Sequence, residues 1–141
     1  EELIYDDHLV FNGFDNKDNK ENIPKAEKGY GSDFPCKKIN TFKIDKKIVK
    51  SDIISFEFYI SEQSWGDSGH ISVRYKINKE NVKLGFFINR HKTNIYSIDF
   101  HISKLIDDTN LFEFYVYCPV WKGWVANVHT IKYKEYEEEQ Y

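Results

Sequence analysis

Apolar and polar residues alternate along most of this chain with a period of two. In IISFEFYIS, Ile54, Phe56, Phe58 and Ile60 fall on one side, with Ser55 and Glu57 opposite. HISVRYKIN sets Ile71, Val73, Tyr75 and Ile77 against His70, Ser72, Arg74 and Lys76. VKLGFFIN places Val82, Leu84, Phe86 and Ile88 on one face, and NIYSIDFHI sets Tyr96, Ile98, Phe100 and Ile102 against Ser97, Asp99 and His101. Successive side chains of a strand point to opposite faces, whereas a helix would scatter these residues around its circumference. The pattern predicts strands.

The stretch LFEFYVYCPVWKGWVANV continues it. Phe112, Phe114, Val116 and Cys118 share one face, and Glu113, Tyr115 and Tyr117 the other. Pro119 has no N–H to give a ladder and ends that strand. After the turn, Trp124, Ala126 and Val128 share a face, and Ile131 and Tyr133 take the opposite parity. The phase change near His129 predicts a bulge or a strand buried on both faces. By this parity Trp124 belongs to the core or to a contact between subunits.

Turn chemistry falls between these runs. SWGDSG, NKEN, NRHKTN and DDTN are rich in residues that bond locally or accept unusual φ. SKLIDDTN has room for one helical turn, and no amphipathic stretch is long enough for a major helix. Short strands joined by short loops predict an antiparallel sandwich or barrel. Residues 1–38 depart from the pattern: after a brief apolar pulse they are polar and hold Gly29, Gly31, Pro24 and Pro35. They read as an irregular N-terminal arm or connector, and residues 39–141 as the folded domain.

Composition narrows the function classes. The chain has 141 residues, 40% hydrophobic and 30% charged, which suits one globular domain. An aromatic share of 17% adds to the β expectation. A net charge of -3 provides no basic field for nucleic acid, and no apolar run is long enough to span a bilayer. The chain starts at Glu1 rather than Met, as a processed product or excised domain would, so a missing signal peptide says little. Cys36 and Cys118 form no metal-type pair, and both a disulfide and two buried thiols fit the sequence.

Candidate chemistry is sparse. Asp99 and His101 project from one strand face in a spacing that can orient an imidazole, but a solvated sheet face produces the same pair without function. No catalytic serine or cysteine setting occurs, so no enzyme, cofactor or metal is expected. Loop carboxylates lack the spacing of a recognised calcium loop. Carbohydrate binding is the best-supported chemistry. Sugars stack their CH faces on aromatic rings and need Asp or Asn partners for their hydroxyls. Trp65 beside Asp67, with Trp121 in the second loop, supplies those groups and forms the candidate ligand site. The tyrosines Tyr115, Tyr117 and Tyr133 are expected to offer an aromatic contact to further copies of the chain.

Over about residues 50–134, the order IISFEFYIS, SGHISVRYKI, VKLGFFI, NIYSIDFHI, FEFYVYCPVWKGW and VANV resembles the β-sandwich heads that close many bacteriophage tail-fibre, tail-spike and neck-appendage proteins. The resemblance implies a jelly-roll-like sandwich and a homotrimer without cofactor, joined to other tail proteins. It further implies a virion, extracellular location and adsorption to a host cell-surface polysaccharide or cell-wall polymer. The family's binding residues do not transfer, because these heads vary where they touch receptor. A carbohydrate-binding module of a secreted enzyme and a purely structural virion protein are the alternatives.

Overall fold

In the computed structural model, residues 2–5, 9–12, 33–64, 72–88, 93–119 and 124–138 are described, with side chains over 38–60, 72–88, 94–117 and 131–138. They form strands β1 (Glu2–Tyr5), β2 (Leu9–Asn12), β3 (Asp33–Asp45), β4 (Ile53–Ser64), β5 (Ser72–Ile77), β6 (Lys83–Phe87), β7 (Thr93–His101), β8 (Thr109–Pro119) and β9 (Trp124–Tyr136). The one helical piece among the described residues is a 3-10 turn at Ile102–Lys104.

The strands build two antiparallel sheets. One has the order β1-β9-β4-β7, with β2 also on β9, and the other has the order β3-β8-β5-β6. The pairings are nested: β5 with β6, β4 with β7, β3 with β8, and β1 and β2 with β9. The chain is therefore one long hairpin rolled over on itself, and the roll is closed by pairing β4 to β9 and β5 to β8. That is the double-sheet jelly roll. Two pieces of the segment read as an arm, β1 and β2, extend the first sheet, and β3 begins at Asp33, ahead of Ile39. An extended segment beside β9 satisfies backbone groups that an edge would leave open.

Alternation places the core as expected. Ile54, Phe56, Phe58 and Ile60 of β4 face Phe112, Phe114 and Val116 of β8, and all seven are fully buried. The rings interlock at angles rather than stacking flat, with Phe56 4.9 Å from Phe42 and 4.9 Å from Phe114 between centroids. Tilted contacts of this kind suit the ring quadrupole and add to the area buried.

Two of the four register shifts in these ladders bear on the faces read from β6 and β9. Along β4 and β9 the register passes from Tyr59↔Thr130 to Ile60↔Val128, which leaves His129 as the extra residue, where the sequence changes phase. In β6 the pairs Val73↔Phe86 and Arg74↔Leu84 leave Gly85 as the extra residue. The sequence expectation of one face for Val82, Leu84, Phe86 and Ile88 fails here. Phe86 and Ile88 join the core, Val82 packs with Tyr115 and Tyr117 in a second cluster, and Leu84 is exposed.

Tyr115 and Tyr117 are 2% and 0% exposed, and Tyr133, at 4%, belongs to the main core. The tyrosines expected to meet further copies of the chain are thus buried within one chain. On the outer face of the second sheet the Arg74 guanidinium lies 5.3 Å over the Tyr117 ring. The Tyr115 hydroxyl donates to Glu113, which also meets Lys38 at 3.6 Å. Burial, and then the Glu113 carboxylate, push the Tyr115 hydroxyl well above its ordinary pKa.

Gly85 is set by close approach. A Cβ there would stand 2.6 Å from Cδ1 of Ile98 and 2.8 Å from the Val73 carbonyl oxygen. The Ile98 methyl can turn aside, but the Val73 backbone cannot. Gly85→Ala is expected to cost roughly 1–3 kcal/mol by overpacking, read as a lower midpoint in thermal or urea unfolding.

Candidate functional site

Strand registers define two ends of the sandwich. Ile53, His101 and Tyr136 lie together at one end of the first sheet, and Asp45 and Thr109 end the second sheet on that side. The turns 46–52, 78–82 and 102–108 all emerge there. A half-open cleft of about 1000 Å³ lies between the last two of these turns. Its buried and half-buried lining includes Tyr75, Ile77, Phe100, His101 and Leu105, and its exposed lining includes Lys79, Lys83, Lys104 and Ile106.

A polar clamp joins the two turns that flank the cleft. Asn78 adopts φ 56°, in the left-handed region that Asn tolerates better than most residues. Its backbone N–H donates to Leu111 O at 2.9 Å, and its side-chain oxygen accepts from Leu111 N at 2.8 Å. Its Nδ2 donates to Asp107 Oδ2 and to Asn110 Oδ1, each at 3.1 Å. Asn110, fully buried, donates from Nδ2 to the Asp107 carbonyl at 2.8 Å. The β5–β6 turn is thereby fixed to the loop that enters β8. The third turn is tied in as well: Lys46 N donates to Asp108 O at 2.7 Å, and Lys46 Nζ to Leu105 O at 2.7 Å.

Charges around the cleft differ in how they are held. Glu80 lies 3.7 Å from Lys83, and Asp107 accepts from Asn78. Lys79 and Lys104 make no ion pair or hydrogen bond among the described residues. Tyr75 meets Phe100 edge-on at 5.1 Å, and both rings are half-buried, so part of each remains open to a ligand. The cleft joins apolar and aromatic surface with exposed ammonium groups and with carbonyl and carboxylate acceptors. Such a lining has the kinds of group that hold and orient ligands in binding clefts. Asp99 and His101 line the cleft too, and no Ser, Thr or Cys is among its described lining residues.

Asp99 and His101 are separated by their partners. The Tyr136 hydroxyl donates to Asp99 Oδ2 at 2.8 Å, and no hydrogen bond joins Asp99 to His101 among the described residues. Partial burial first, and the Asp99 carboxylate second, push Tyr136 up to about 12. The same outer face of the first sheet carries Glu57, which accepts from Tyr59 at 2.7 Å and meets Lys134 at 3.2 Å.

Trp65, Asp67 and Trp121 lie outside the described residues. The strand ends that flank them, Ser64 opposite Trp124 and Ser72 opposite Tyr117, are at the other end of the sandwich from the cleft. Sequence reasoning read NKEN and DDTN as turns without linking them, and it read Tyr75, Ile77 and Phe100 as core. Among the described residues no group of three or more His, Cys, Asp or Glu could hold a metal ion. No helix among them is long and apolar enough to cross a membrane. No protein-family model matches this chain, and no curated protein matches it.

Two measurements check these contacts. Asn78→Gly keeps the left-handed turn and loses the clamp, whereas Asn78→Ala loses both. Each should lower stability by on the order of 1–3 kcal/mol in urea unfolding, with the alanine variant the lower of the two. The Tyr59 hydroxyl, aided by Lys134 and opposed by burial, holds Glu57 below its ordinary pKa of 4.5. A lowered folded pKa contributes stability above the unfolded value, and that stability is lost as pH falls through the folded value. Glu57→Gln should therefore flatten the acid side of the melting-temperature profile below about pH 5 and leave the neutral side nearly parallel to wild type.

Proposed function

We propose that this chain is a recognition domain without catalytic activity: the receptor-binding tip of a bacteriophage tail appendage, with a host cell-surface polymer or glycan seated in the end cleft. The observation that carries this reading is the cleft itself. It is a half-open site of about 1000 Å³ at a loop end of a jelly roll, with Tyr75 and Phe100 half-exposed beside hydrogen-bonding groups. Its volume reaches the upper end of ordinary ligand sites of about 300–1,000 Å³, more than a single small metabolite fills. An open mouth lets a polymer enter and leave along its length. The fold adds a weaker argument, since viral and lectin domains share it.

Loops at strand ends can vary without disturbing the aromatic core, which suits a surface that must match one host. The homotrimer and the attachment to other tail proteins belong to this same proposal. The carbohydrate-binding module of a secreted enzyme shares the cleft and differs in assembly, so light scattering separates the two: a trimer favours the tail tip and a monomer the module.

Binding to host cells and to their purified envelope polysaccharide tests the reading. Ile106 is 84% exposed, and Lys104 is exposed beside it, so replacing both leaves the core intact. The double variant Lys104→Ala/Ile106→Ala should melt like wild type and bind roughly tenfold more weakly or worse. Trp65→Ala, in the sequence between β4 and β5, is the comparison. Loss with Trp65→Ala alone would move the site to that segment, and wild-type chain that binds no envelope fraction would refute the receptor assignment.

A further inference from the structure

The two cysteines, far apart in sequence, arrive on neighbouring strands. In the pairing of β3 with β8, Cys118 stands opposite Phe34, and Pro35 opposite Tyr117. The next pair is Lys37↔Val116, so Cys36 is the extra residue of a bulge. In an unbroken register Cys36 would oppose Val116, two positions from Cys118 along β8. Such diagonal neighbours keep their Cβ atoms roughly 7 Å apart, whereas a disulfide needs about 4 Å. With Pro35 opposite Tyr117 and Lys37 opposite Val116, Cys36 lies between those two levels of β8, nearer to Cys118 than an unbroken register would put it. Bulges recur where a chain must re-aim one residue.

The same stretch of β3 is poorly held by its ladder. Pro35 has no N–H to donate, and a second register shift follows between Lys38 and Asn40. β3 is also an edge of its sheet, with β8 its only strand partner among the described residues. A covalent tie here would secure the part of the edge that backbone bonding secures least.

We propose that Cys36 and Cys118 form a disulfide that staples β3 to β8. A small-molecule disulfide such as oxidised glutathione serves as oxidant. One cysteine thiolate attacks it, forming a mixed disulfide and releasing one glutathione thiolate. The second cysteine thiolate then attacks the protein sulfur of that mixed disulfide and releases the other. The two protein thiols give up two electrons and two protons, and one oxidised glutathione becomes two reduced ones. The closed loop spans β4 to β7, so the bond restricts the unfolded chain strongly.

The test is a disulfide map of the folded chain equilibrated in a glutathione redox buffer, quenched in acid and alkylated under denaturing conditions. The expected product is a Cys36 peptide joined to a Cys118 peptide within one chain, lighter by two hydrogens than the reduced pair. Reductant should then lower the melting midpoint by on the order of 10 °C. Cys36→Ser and Cys118→Ser should each melt like reduced wild type and ignore reductant. Full alkylation of both cysteines in the oxidising buffer would overturn the proposal. So would glutathione adducts without a cross-link, a bond between two chains, or equal melting of oxidised and reduced wild type.

Discussion

The ring of Phe56 touches five others, drawn from both sheets: Phe42, Phe112 and Phe114 from β3 and β8, and Phe100 and Tyr133 from β7 and β9. It is completely buried in β4, the strand that lies between β9 and β7. Because side chains of one strand alternate, fixing Phe56 inward fixes Ile54, Phe58 and Ile60 with it, and Ser55 and Glu57 outward. A slip of one residue in β4 would bury Glu57 and expose four apolar side chains. That penalty locks the register of the first sheet, and the β8 phenylalanines lock the second against it.

The cleft depends on what happens beyond that aromatic centre. Toward the end that carries turns 46–52, 78–82 and 102–108, Tyr75, Ile77 and Phe100 are only half-buried and line the cleft. Side-chain amides take over there from apolar packing. Asn110 is as deeply buried as the phenylalanines, and both of its polar ends are satisfied by Asp107 and Asn78. A buried amide with both ends bonded fixes backbone position without closing the gap. The turns are fixed to one another by these bonds, and the cleft is lined by both.

Much of this was legible in the residues. The period-two runs of β4 and β8 placed the core, and the phase change at His129 placed a bulge that the register contains. Gly85 hid a second bulge, because a glycine gives no parity of its own, and so the faces of Val82 and Leu84 were misassigned. Tyr115 and Tyr117 occupy positions where alternation expects solvent. Two aromatic residues there signal a second buried face, and a polar tip disguises that signal. The clamp was the least legible part. Asn78, Asp107 and Asn110 come from turns that are remote in sequence, and only the rolled hairpin brings them together.

The nested pairing also sets an order on synthesis. β9 is the last of the nine strands to be made, and it lies inside the first sheet, between β4 and the short strands β1 and β2. A growing chain that ends before β9 leaves β4 with one neighbour and β1 and β2 with none among the described strands. Contacts between segments so distant in sequence form slowly, after their loop-closure entropy has been overcome. Until β9 emerges from the ribosome, the phenylalanines of β4 have a half-built sheet behind them. A chain that has not yet added β9 therefore leaves one side of β4 unpaired, a surface open to wrong pairing until the first sheet closes.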